Sequence, residues 1–110
     1  MTKPNFYVPN VAMWNWRLIS AGFVRIQLDR ANRSYSETDN ALVQLDADVD
    51  KIEQEIRGKW ASANVQVMRA FEARLKEVGA ERKRIHYVRT KLRTVIDRMR
   101  SHLEAGKAKV

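Results

Sequence analysis

Residues 42–56, LVQLDADVDKIEQEI, set Leu42, Leu45, Val49, Ile52 and Ile56 at alternating three- and four-residue steps. Steps of that size keep side chains on one stripe of an α-helix, and their seven-residue repeat is the seam of a coiled coil. A second seam, Ile85, Val88, Leu92, Val95 and Met99, has the same spacing. Together they predict a mainly α chain, an elongated helical hairpin or coiled coil with helices over about 37–57 and 63–104.

Downstream of the first seam the helical spacing resumes at Val67 and continues through Met68, Phe71, Leu75 and Val78. Gly79 costs a helix about 1 kcal/mol relative to alanine. Val78 and Ile85 are nevertheless seven residues apart, so the stripe keeps phase and the helix is expected to run through the glycine. Glu104-Ala105-Gly106 should end it, with Lys107–Val110 a frayed basic tail. Between the helices lies RGKWASAN, residues 57–64. There Gly58 can close the first helix, Ser62 can cap the second, and Trp60 can plug the end of a hairpin. The piece Gly58-Lys59-Trp60-Ala61-Ser62 is similar to the turn of the small secreted helical proteins that carry a Trp-x-Gly motif. Ser62 stands where that motif has glycine. The Tyr-x-x-x-Asp element that follows the second helix in that family is absent, since Tyr35 and Asp39 precede the turn.

Upstream, Ser36-Glu37-Thr38-Asp39 has the form of a helix start, a serine cap followed by acids at the positive end of the helix dipole. The preceding DRANRSYS, residues 29–36, reads as a polar connection. Residues 11–28 allow two readings. As a helix, Ala12, Trp16, Ile19, Phe23 and Ile26 share a stripe, and Asn10 follows Pro9 as a cap. As a β-hairpin, Trp14, Trp16 and Leu18 alternate with polar residues, as do Val24, Ile26 and Leu28, around a Ser20-Ala21-Gly22 loop. The helix is the preferred reading. Pro4 and Pro9 make residues 1–10 an extended arm. The chain is thus expected to divide into an aromatic N-terminal docking segment, 1–35, and a coiled-coil assembly region, 36–110.

Charge sorts with the seams. The positions flanking the first seam are Asp46, Asp48, Glu53 and Glu55, and those flanking the second include Arg82, Arg84, Arg89, Lys91 and Arg98. Flanks of this kind choose a coiled coil's partner and orientation. A tight turn near residue 60 would set Asp46–Glu55 against roughly residues 66–76, where Arg69, Arg74 and Lys76 are offset by Glu72. An antiparallel pairing of two chains opposes 42 with 99, 45 with 96, 49 with 92 and 56 with 85, and matches acid to base more fully. The expectation is therefore a homo-oligomer. Its self-association surface would comprise both seams, Phe71, and the flanking Asp46, Glu53, Arg84, Lys91 and Arg98.

The 110 residues hold 21 Lys+Arg against 13 Asp+Glu and no cysteine, a net charge of +8. Absence of cysteine excludes disulfides and thiolate chemistry. No apolar run reaches the roughly 18 residues of a membrane span, and no secretory signal is evident, so a cytoplasmic protein or a component of a larger particle is expected. His86 and His102 are sixteen apart on one helix and cannot share a metal. No glycine lies between Glu37 and Arg57 to make a calcium loop. No catalytic set, cofactor, metal or small-molecule substrate is expected. The reading is a non-enzymatic structural, assembly or adaptor protein that self-associates and docks a protein partner through Phe6, Tyr7, Trp14, Trp16 and Phe23. The alternative is a nucleic-acid binder using the run 82–100, where Lys83, Arg93 and Arg100 point away from the seam. A membrane-interface role for the two tryptophans around Arg17 is the weaker reading, because Arg25, Asp29, Arg30 and Arg33 follow without making a clear amphipathic polar face, and a membrane partner is not expected.

Overall fold

The computed structural model describes residues 5–59 and 64–106. The chain is an all-α helical hairpin: a 3-10 turn at Val11–Met13, then α1, Ala21–Lys59, and α2, Val65–Glu104, with no strand among the described residues. The expected turn residues Trp60 and Ser62, and the tail Lys107–Val110, lie outside the described residues.

α2 matches its expected span and passes through Gly79 without a break. Asn64 starts it, its side chain accepting from the Val67 amide at 2.9 Å. Gly106, at φ 65°, follows its end, with the Ala105 and Gly106 amides bonded back to Ser101 and Leu103. Only glycine adopts that left-handed conformation without steric cost.

α1 differs from expectation. It begins at Ala21 rather than near residue 37, and the supposed connection 29–36 is its third and fourth turns. Ser20 is the cap: its hydroxyl accepts from the Phe23 amide at 3.2 Å, and its carbonyl receives the Val24 amide. Ser36 is an exposed mid-helix residue. The stretch looked polar because its buried stripe is small and polar: Val24, Gln27, Ala31, Ser34 and Thr38. Neither reading of 11–28 holds whole. Residues 21–28 are helical, but 14–20 turn around Asn15, whose side chain accepts from Arg17 and whose carbonyl accepts from Leu18 and Ile19. Asparagine offers the backbone this local alternative to helix.

The chain forms two compact units. Unit 1 comprises Met1–Thr38 and Tyr87–Val110; unit 2 comprises Asp39–His86. The N-terminal third, expected as a segment of its own, shares its unit with the last stretch of α2.

In unit 2, Leu42, Ile52, Phe71 and Ile85 are buried between the two helices, with Leu45, Val49, Ile56, Leu75 and Val78 half-buried beside them. Arg82 pairs with Asp46 and Arg74 with Glu55, each at 2.9 Å. A fully buried aliphatic side chain contributes about 2 kcal/mol, whereas an exposed pair contributes under about 1 kcal/mol. Burial holds this unit and the pairs select its register. In unit 1 the core is Val24, Ala31, Leu92, Val95, Ile96 and Met99, with Val8, Val11, Trp14, Trp16 and Ile19 of the N-terminal segment packed on it.

The seams assigned to a contact between chains are thus covered within one chain. Several of their charged flanks are engaged there as well. Arg84 forks Glu81 three residues back, Nε at 3.1 Å from both oxygens, which holds the guanidinium above its ordinary value. Lys91 sits over the Tyr87 ring at 4.8 Å, and Arg98 over the Trp16 ring at 4.7 Å. Glu53 is exposed.

Candidate docking surface

Unit 1 gathers the residues that could meet a partner. Trp16 is clamped to α2, edge-on to His102 at 4.9 Å between centroids and beneath Arg98. Trp14 packs against Trp16 at 5.3 Å on one side and Phe23 at 5.3 Å on the other. These contacts make one aromatic row from α2 to the first turn of α1. The two tryptophans are half-buried, so their main work is to fasten the N-terminal segment to its own core. Phe6 is half-buried too, and the Tyr7 hydroxyl donates to the Gln27 side chain.

Of the five residues expected to dock a partner, Tyr7 and Phe23 stay exposed, at 46 % and 42 %, and Phe23 lies in the row. The larger exposures fall on residues that sequence reasoning did not single out: Met13 at 80 %, Leu18 at 69 % and Ile26 at 55 %, beside Phe23 at 42 %. A signal for Leu18 is the Asn15 turn, which breaks the helical stripe between Trp14 and Ile19.

A second feature of unit 1 is an open groove of about 690 Å³ between residues 8–12 and the α2 stretch Tyr87–Val95, with Val8, Val11, Val88 and Val95 among its walls. A third is a smaller groove on which Arg93 and Arg100 meet Asn32, Tyr35 and Asp97. Arg89, nearby on α2, lies 4.7 Å from the Tyr35 ring centroid. Arg93 and Arg100 are exposed, as is Lys83, but Lys83 belongs to unit 2.

The division of charge between the units is uneven. Unit 2 has nine Lys+Arg against nine Asp+Glu, and unit 1 has twelve against four. The balance closes within unit 2, and the entire excess of +8 belongs to unit 1.

Among the described residues, no cluster of three or more His, Asp or Glu side chains is placed to hold a metal, and no helix is long and apolar enough to cross a membrane. His86 is exposed and His102 is buried against Trp16. No protein-family model, curated protein or solved structure matches this chain.

Proposed function

We propose that this chain is a non-enzymatic adaptor whose unit 1 docks on an anionic partner. The charge division carries the reading: the whole +8 excess lies in one unit while the other is neutral. A single-sign excess of that kind raises the local concentration of an oppositely charged partner and speeds encounter. What stands out on the surface is charge and apolar exposure, not a grouped set of titratable side chains, so the reading is binding rather than catalysis. Arg93 and Arg100 keep the role expected of them in the basic run. Lys83, in the neutral unit, loses it.

Retention on heparin, and anisotropy with labelled duplex DNA across a salt series, test this. Binding should weaken steeply as salt rises, because charge contacts release counterions. The double variant Arg93→Glu/Arg100→Glu should bind far more weakly than Lys83→Glu. Equal loss in the two variants, or no retention even at low salt, would overturn the reading.

A second reading, self-assembly, rests on the exposed acids Asp50 and Glu53 of α1. In it, the acidic stretch of one copy is the anionic partner of another copy's unit 1. Light scattering should then give at least a dimer at micromolar concentration, and Asp50→Lys/Glu53→Lys should reduce the mass. A monomer would remove it.

A further inference from the structure

We propose that the anionic partner of unit 1 is a lipid surface, with Met13, Leu18, Phe23 and Ile26 entering the interface and Arg17, Arg25 and Arg30 meeting lipid phosphates. This rests on the anionic-partner reading and adds the identity of the partner.

The argument begins with what is exposed. Met13 and Leu18 flank the turn at Asn15, and Phe23 and Ile26 are one turn apart on the first two turns of α1. Phe23 touches Trp14, and the four exposed apolar side chains all fall within residues 13–26 of one unit. Scattered apolar residues are ordinary on a protein surface; a grouped set marks a contact. All three arginines are exposed within the same stretch, and the only acidic residue between residues 11 and 30 is Asp29. Apolar side chains ringed by cations are what an anionic bilayer interface accepts, since hydrocarbon takes the former and headgroups the latter. Tryptophan also favours that depth, and the half-buried Trp14 touches Phe23.

Two other occupants fit less well. Single-stranded nucleic acid would stack on open aromatic faces. Here the rings of Trp14, Trp16 and Phe23 engage one another at tilted or edge-on angles of 53–66°, and Arg98 covers a Trp16 face. The side chains that protrude furthest, Met13, Leu18 and Ile26, neither stack nor hydrogen-bond. A second copy meeting this surface with its own would bring two units of like charge together, which opposes the contact.

The test is co-sedimentation of the full chain with phosphatidylcholine vesicles, with and without phosphatidylglycerol, across salt. Binding is expected only where phosphatidylglycerol is present and should fall with salt. Met13→Glu and Leu18→Glu are surface changes, checked for retained helicity by circular dichroism. Each should weaken vesicle binding about tenfold or more while leaving heparin retention nearly intact. Brominated lipid should quench tryptophan fluorescence in the parent and not in Met13→Glu/Leu18→Glu. Heparin or DNA binding without vesicle binding would overturn the lipid assignment and leave the anionic-partner reading standing. Absence of both would sink the two together. Vesicle binding indifferent to the glutamates would remove the insertion, and a fall in mass without vesicles on adding them would assign the patch to contact between copies.

Discussion

Arg98 holds its guanidinium 4.7 Å above the Trp16 ring, while His102, one turn further along the same helix, meets that ring edge-on. A residue of the irregular N-terminal segment is thereby gripped by two side chains of α2. The contact ties together parts of unit 1 more than eighty residues apart in sequence.

Trp16→Ala should therefore loosen the N-terminal segment as a whole. A fully buried tryptophan costs about 3–5 kcal/mol when truncated. Trp16 is half-buried, so a loss of about 2 kcal/mol is expected from the denaturation midpoint, together with earlier amide exchange at Leu18 and Ile19. Unchanged exchange at those amides would show that the segment is held by something else.

Ser34→Ala offers a test with the opposite sign. The Ser34 hydroxyl is buried and has no hydrogen-bond partner in the structure. Removing a polar group that lacks a partner relieves its desolvation cost, so the variant should match the parent or exceed it by up to about 1 kcal/mol. A clear loss in the same denaturation assay would mean that the hydroxyl is satisfied by solvent.

Gly79→Ala should stabilise the hairpin. Gly79 is exposed inside α2, and a Cβ built there meets nothing within 4 Å. The change then acts through helix propensity alone, a gain of about 1 kcal/mol that thermal melting would register. A lower midpoint would mean that the glycine serves a conformation other than the continuous helix.

Glu55 predicts a pH dependence. The hydrogen bond from Arg74 holds its carboxyl below the ordinary value of 4.5. Between the folded and unfolded values the unfolded state binds more protons, so stability rises with pH there. The contribution is fully present above about pH 4.5 and is lost as pH falls through the lowered folded value. Glu55→Gln should fall below the parent above that pH and converge with it in stronger acid, read from urea midpoints over a pH series. Parallel curves throughout would show that the pair contributes nothing to stability.

The seams were legible in the sequence because their apolar residues are large and regularly spaced. For the same reason α2 could be followed through Gly79: Val78 and Ile85 hold the phase on either side. The first half of α1 was hidden because Ala31, Ser34 and Thr38 serve as its core. Small and polar residues bury well beneath a covering segment but carry little hydrophobic contrast. The register of the seams within the chain was not legible. Asp46 meets Arg82 rather than the neighbourhood of residue 76, and Glu55 meets Arg74 rather than residue 66, about one heptad further along. Heptads match equally well after such a slip, so the apolar pattern alone does not choose between the two. The exposed Met13 and Leu18 could not be read from periodicity at all, because Met13 ends a 3-10 turn and Leu18 lies in the turn closed on Asn15.

Unit 1 is assembled from two stretches, 1–38 and 87–110, separated by the 48 residues of unit 2. That separation imposes an order on synthesis. Unit 2 is contiguous and needs only the short closure between α1 and α2, whereas unit 1 must wait until residues 87–104 have left the ribosome. Until then Val24, Trp14 and Trp16 have no α2 surface to cover them, and the nascent chain shows its stickiest stretch to the cell. Closing unit 2 first would bring Tyr87 and Thr38 near each other, so that unit 1 can close as soon as those residues emerge.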